Sequence, residues 1–201
     1  MSKDMAQQTR NAFDFVEKLN FEVSYLFKEI EGLLAMEDEQ FQILKPSGYA
    51  VTARNSNGLE PVYVEQWLKK SMTVFFCERD QTENKAGTTY TTLQNELKVL
   101  FVHVRIIHKE TTEPKVIIGV LENIVSKRTE NRFEKFAFEF AYNQDRVFNT
   151  KNGTHYDDNY CSFEINKKEV DLFDLNNSDD VAEKIVKPLL EIFRGQSSTN
   201  V

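Results

Sequence analysis

The sequence predicts an α+β fold in which an antiparallel sheet of about five to seven strands is flanked by a long N-terminal helix and a C-terminal helix. Three patterns predict it: apolar residues at helical spacing over residues 4–36, two Val- and Ile-rich runs around a polar linker at residues 97–125, and a second helical stripe over residues 178–194. With 201 residues the chain is expected to form a single domain over residues 1–201, consisting mainly of sheet at residues 40–175.

The N-terminal helix is predicted from apolar residues that recur in alternating steps of three and four, as in a coiled-coil seam. They are Val16, Leu19, Val23, Leu26, Ile30 and Leu33. Phe13, Phe27 and Leu34 widen this stripe to the face expected of a helix that lies on a globular core. We therefore favour packing on the sheet, and a dimer formed through this helix is the alternative.

A long β-hairpin is predicted at the centre of the chain, where residues 97–107 and 116–125 suit a pleated surface and Pro114 interrupts the ladder at the turn. Because side chains alternate across a strand, one face of the hairpin is expected to form the core. Its members are Leu100, Val102, Val104, Ile106, Ile118, Val120, Glu122 and Ile124. The opposite face is apolar at its ends and polar in the middle, so we expect another element to cover part of it.

Upstream of the hairpin, residues 41–44, 48–54 and 71–79 have patterns typical of strands. Residues 61–68 fit either a short helix or a strand, and we favour the helix. The polar loop at residues 79–94 is longer than most connections, which makes its Tyr90 a candidate contact residue by position.

Downstream of the hairpin, residues 133–143, 160–166 and 169–173 are predicted to form strands. The first of these predictions depends on aromatic residues that recur at every second position. They are Phe136, Phe138, Phe140 and Tyr142.

The C-terminal helix, residues 178–194, is predicted to begin at Ser178 as its N-cap and to end at Gly195. Pro188 lies inside the helical pattern and is expected to kink the helix, since proline removes one backbone hydrogen bond. Residues 196–201 are predicted to be a frayed tail.

Charge, cysteine content and the lack of long apolar runs argue against a nucleic-acid-binding, secreted or membrane protein. A net charge of -7 and a pI near 5.1 argue against general affinity for nucleic acid, which needs clustered Lys and Arg. The two cysteines form no CxxC motif, the first residues lack an apolar signal core, and no apolar run reaches the ~20 residues of a membrane span. We therefore expect a cytoplasmic protein that does not enter a membrane.

Motifs for metals and cofactors are not found in the sequence. It has no Gly-rich phosphate loop, no GxSxG and no HExxH, and the spacing of its three histidines does not suit zinc. The sequence therefore predicts neither a metal nor a cofactor. One catalytic candidate is Asp80 with the Glu96-x-Lys98 triplet, whose spacing resembles that of the acidic Mg²⁺ site of restriction-type nucleases.

Two carboxylates fall on the predicted strands and are further catalytic candidates. Glu122 lies among Val and Ile, and Glu139 lies between two alanines. A carboxylate in apolar surroundings has a raised pKa and can act as an acid or base. The alternative interpretation is structural, with Glu122 near a sheet edge or paired with Lys or Arg.

His103 and Arg105 are the binding candidates on the polar part of the second hairpin face. They are expected to join Glu139 in a polar pocket if their strands are neighbours. The competing interpretation, which we favour, is a solvated sheet face, since antiparallel sheets commonly expose one side.

The leading functional hypothesis is a non-catalytic cytoplasmic protein-interaction or regulatory module that binds a protein partner or forms a homodimer. A metal-dependent enzyme, such as a nuclease that uses the sheet carboxylates, is the first alternative. The second is a domain that binds a small ligand in a pocket beside Gly119 and Ala137.

Overall fold

The computed structural model describes residues 3–37, 41–44, 70–78, 97–106, 113–127 and 133–195. The helices are α1 (Lys3–Ala35), α2 (Phe133–Tyr142), α3 (Gln144–Asn149), α4 (Ser178–Val181) and α5 (Lys187–Phe193), with a π-helical segment at Ala182–Val186 and a 3-10 turn at Leu172–Asp174. The strands are β1 (Phe41–Ile43), β2 (Ser71–Glu78), β3 (Val99–Arg105), β4 (Lys115–Ser126), β5 (Thr154–Asp157) and β6 (Cys161–Asp171).

The strands of the described residues form one six-stranded antiparallel sheet in the order β1-β2-β3-β4-β6-β5. This architecture, with its N-terminal and C-terminal helices, confirms the predicted α+β class. The central hairpin is confirmed as β3 and β4, in which Val102 lies opposite Ile118. The two strands predicted at residues 160–166 and 169–173 are instead one continuous strand, β6.

The sheet is covered on both faces. The face that carries Leu100, Val102 and Val104 forms a core, as predicted, and packs against α1 and the C-terminal helical segments. The other face forms a second, phenylalanine-rich core under α2 and α3. This confirms the prediction that another element covers part of the second hairpin face.

Helix α1 packs on the sheet through its C-terminal half, which confirms the interpretation we favoured. Its buried side chains begin at Val23 and continue to Leu34. The side chains of residues 4–18 are all exposed, so the N-terminal half of this 33-residue helix projects from the core.

The predicted strand at residues 133–143 is wrong, because this segment is helix α2. The buried positions include Phe133, Phe136, Ala137, Phe140 and Ala141, which have helical spacing of three and four. Phe136 and Phe140 belong to both the helical and the alternating pattern, so periodicity alone could not separate the two. Burial of the whole stripe on the sheet overrides the preference of phenylalanine for strands.

The sheet face predicted for Ile124 is wrong, because the pairing of β4 with β6 shifts its register between Glu122 and Val125. Asn123 adopts φ 53°, in the left-handed region that asparagine tolerates better than most residues. As a result Ile124 packs into the phenylalanine-rich core instead of the core under α1.

The C-terminal helix begins at Ser178, but its N-cap lies one residue earlier than predicted. The side chain of Asn177, not Ser178, caps it by accepting a 2.9 Å hydrogen bond from the backbone N–H of Asp180. The irregularity expected at Pro188 takes the form of the π-helical segment that directly precedes α5. Gly195, at φ 69°, ends the helix as predicted.

Gly119→Ala is expected to lower the free energy of unfolding by about 1–3 kcal/mol. A Cβ atom at this position would lie 2.2 Å from the carbonyl oxygen of Asn166 and 2.7 Å from the ring of Phe101, so a strand would have to move. Urea denaturation measures the change. Gly32→Ala is the matched control: no heavy atom lies within 4 Å of its Cβ position, and alanine in a helix should stabilise by about 0.5–1 kcal/mol. Equal effects at the two glycines would contradict the described packing.

Candidate functional site

Several sequence predictions fall outside the residues that the structure describes. They are Asp80, Tyr90 and Glu96, the strand at residues 48–54, the ambiguous segment at residues 61–68, the polar loop at residues 79–94 and the tail at residues 196–201. The nuclease hypothesis therefore stays a prediction as far as Asp80 and Glu96 are concerned.

Lys98, the third member of the nuclease candidate, lies beside Glu122. Its Nζ is 2.5 Å from the Glu122 carboxylate and donates a hydrogen bond to the carbonyl oxygen of Phe193, at the end of α5. The same ammonium lies 4.8 Å from the centre of the Phe193 ring. Glu122 is therefore paired with a lysine, as in the structural alternative, and its side chain is 34% exposed rather than enclosed by apolar groups.

Glu139 lies on α2 and not on a strand, so its predicted setting is wrong. The pKa of the neighbouring thiol of Cys161 is raised to about 12, first by burial and then by the negative charges of Asp158 and Glu139. This thiol stays protonated near neutral pH, which makes it a poor nucleophile.

The turn between β5 and β6 is organised by Asp158. Its carboxylate accepts hydrogen bonds from the backbone N–H groups of Tyr160 and Cys161, at 2.7 and 2.8 Å, and from the hydroxyl of Tyr156 at 2.8 Å. Burial opposes the charged form, but these hydrogen bonds hold the pKa of Asp158 below its ordinary value. The arrangement closes the hairpin and needs no ligand.

His103 is fully buried, so the solvated sheet face that we favoured is wrong at this position. Its Nδ1 lies 2.8 Å from the hydroxyl of Thr73 on β2, and its ring lies 4.4 Å from the ring of Phe148 on α3. Burial, and then the charge of Arg105, lower the pKa of His103 to about 3. The imidazole is therefore neutral at physiological pH.

Arg105 lies two residues further along the same face of β3, with its side chain 13% exposed. One of its terminal nitrogens is 3.9 Å from the carboxylate of Glu169 on β6. Lys167, also on β6, donates a 2.7 Å hydrogen bond to the carbonyl of Phe148. Burial lowers the pKa of this lysine, and the nearby charge of Arg105 lowers it further, while Glu169 raises it.

These side chains form one polar strip, on the sheet face that α3 covers. Its members are Ser71, Thr73, His103, Arg105, Lys167 and Glu169. Gln144 at the start of α3 accepts a 2.6 Å hydrogen bond from Ser71, which fixes the helix over the strip. The predicted partner, Glu139, is instead close to Cys161.

Sequence reasoning found two members of the polar strip, His103 and Arg105, and missed the others. The alternation of Ser71 and Thr73 with Met72 and Val74 was the available signal on β2. Lys167 had no such signal, because its place depends on the pairing of β4 with β6.

Within the described residues, Gly119 and Ala137, beside which a ligand pocket was predicted, are closely packed. The ring of Phe101 fills the space beside Gly119, and Ala137 is fully buried in the phenylalanine-rich core. The structure has instead a groove of about 370 Å³ between α1 and the segment that follows β6, with Tyr25 and Phe173 in its lining.

No protein-family model, curated protein or solved structure matches the chain. Within the described ranges, no group of three or more His, Cys, Asp or Glu side chains is placed to hold a metal ion. Among the described helices, none combines the length and the apolar character that crossing a membrane requires.

Proposed function

We propose that this protein is a protein-interaction module that forms a homodimer through the projecting half of α1, residues 4–18. The single observation that carries the proposal is that the apolar stripe of α1 continues past the point where the helix leaves the core. Val16 lies seven residues before the buried Val23 and therefore on the same face of the helix. Yet Val16 is 44% exposed and Phe13 is 73% exposed.

The composition of the projecting half gives a second reason. Many of its residues have weak helix propensity: Thr9, Asn11, Phe13, Asp14, Phe15 and Val16. Helices in proteins are stabilised mainly by packing of their apolar face, and an isolated helix of this length is marginal in water. Contact with a further apolar surface would stabilise the projecting half of α1, just as packing on the sheet stabilises its C-terminal half.

Charge favours a second copy as that surface. Together with the adjoining Lys3, the projecting half has three positive and three negative residues, so residues 3–18 are neutral, although the whole chain carries -7. Most other surfaces of two copies would bring net negative charge together. The projecting helices can pair without this repulsion, and a shallow depression of about 480 Å³ beside Phe13 and Val16 offers space for side chains of the partner.

Native mass spectrometry and sedimentation equilibrium of the full chain test the proposal. We expect a dimer for the natural sequence, and for Val16→Glu a dissociation constant raised at least about 100-fold, because the buried charge enters twice in a symmetric pair. Tyr25→Glu is the matched control, since Tyr25 lies about 180° round the helix from Val16 and is 67% exposed.

A monomer at high concentration would overturn the proposal. A dimer that Val16→Glu leaves intact would overturn the assignment of the interface to the projecting half. The same mass spectrum reports any retained metal or small molecule, and such an added mass on a monomer would favour an enzyme or a ligand-binding domain.

A further inference from the structure

Two nitrogen atoms of the polar strip, Nε2 of His103 and Nε of Arg105, are buried and find no hydrogen-bond partner among the residues that the structure describes. The two residues are separated by one position on β3, so both side chains lie on the same face, with Cα atoms about 7 Å apart. Buried polar groups in proteins nearly always have a partner, and one without a partner needs a ligand, an ion or a water to satisfy it.

Both atoms are suited to donate. The Nε of arginine always carries a hydrogen. In His103 the Nδ1 atom is held at 2.8 Å by the hydroxyl of Thr73. When this hydroxyl donates to Nδ1, the neutral ring carries its hydrogen on Nε2. In this tautomer, His103 and Arg105 present two donors on one face of the strand, which suits a ligand that accepts.

The surroundings favour a negatively charged acceptor. The charge of Arg105 acts on Lys167; the Arg105 side chain is 13% exposed, and Lys167 is partly buried. Glu169, which acts on both cations, is 45% exposed, and its distance of 3.9 Å from Arg105 is longer than a hydrogen bond. The next acidic residue on this face of β6, Asp171, pairs with Lys115. The buried side of the strip is therefore positive, and Phe148 encloses it from above.

We propose that the polar strip binds a small oxyanion, a phosphate or a carboxylate, through the N–H groups of His103 and Arg105. Lys167 contributes positive charge, and Thr73 fixes the tautomer of His103 as a positioning residue. The cover of α3 restricts the ligand to a small molecule or to a single anionic group. This site lies on the opposite face of the sheet from α1 and does not depend on the proposed dimer.

The first test titrates the full chain separately with inorganic phosphate and with malonate, and follows heat by calorimetry and the side-chain ¹⁵N resonance of His103 Nε2 by NMR. We expect saturable binding of at least one probe and a shift of the Nε2 resonance that follows the same curve. The two titrations distinguish a phosphate site from a carboxylate site. No saturable binding of either probe would overturn the proposal and assign the two nitrogens to trapped water.

The second test changes the cations. Arg105→Gln is expected to weaken binding about tenfold or more, because it removes a charge-assisted hydrogen bond. Lys167→Gln is a second variant in case the first does not fold, and it should weaken binding by a smaller factor. Lys168→Gln removes the same charge from the next position of β6, on the opposite face, and should leave binding unchanged. Equal effects of Lys167→Gln and Lys168→Gln would show attraction to net charge only and would overturn the site.

Discussion

Replacing Phe140 with alanine is expected to lower the free energy of unfolding by about 3–5 kcal/mol. Phe140 is fully buried at the centre of the phenylalanine-rich core between α2 and the sheet. Its ring packs against those of Phe75 at 5.4 Å, Phe101 at 5.5 Å, Phe148 at 5.6 Å, Phe136 at 6.0 Å and Phe163 at 6.0 Å between centroids. The variant loses these contacts and leaves a cavity that the sheet cannot close.

Urea denaturation followed by circular dichroism measures the loss for Phe140→Ala. Phe173→Ala removes the same side chain at a position that is 69% exposed and should cost well under about 1 kcal/mol.

A second variant, Ala137→Glu, tests the helix itself. In α2 both Ala137 and Phe140 face the sheet, whereas alternation along a strand would place them on opposite faces. Tolerance of glutamate at residue 137 would contradict helix α2.

Acid is expected to destabilise the protein through His103 well before most carboxylates titrate. Burial, reinforced by Arg105, lowers the pKa of this histidine from 6.5 to about 3 in the folded chain. Between these pH values the unfolded chain binds a proton that the folded chain does not, so stability falls as the pH falls. From pH 6.5 to 4.5 the loss attributable to His103 is about 2 kcal/mol.

The measurement is the free energy of unfolding at several pH values, in an amine buffer free of phosphate and carboxylate, for the natural sequence and for His103→Gln. The variant should be less stable at pH 7, and its curve should approach that of the natural sequence as the pH falls. His155→Gln, which replaces a histidine at an exposed position of β5, is the matched control. Parallel curves for His103→Gln would contradict the burial of an unprotonated imidazole.

Local patterns in the sequence determined the elements that depend on short-range spacing. The β3–β4 hairpin, the packing of α1 through Val23–Leu34 and the end of the C-terminal helix at Gly195 follow from side-chain periodicity and from the conformational preferences of single residues. These signals lie within one strand or a few helical turns. They therefore do not depend on what packs against the element.

Only the tertiary structure decided the phenylalanine-rich core and the polar strip. Residues 133–142 form a helix because, as a helix, they bury a wide apolar stripe on the sheet face opposite α1. The strands that make up this face lie far from residues 133–142 in the sequence. His103 is buried rather than solvated for the same reason, because α2 and α3 cover its face.

The pairs that define the candidate sites are also distant in sequence. Thr73 and His103 are 30 residues apart, Ser71 and Gln144 are 73 apart, and Lys98 and Phe193 are 95 apart. Such contacts depend on strand order and on which helix covers each face. The sequence determines which side chains a strand presents on one face, but the packing of the whole chain determines whether that face meets water, a helix or a charge of opposite sign.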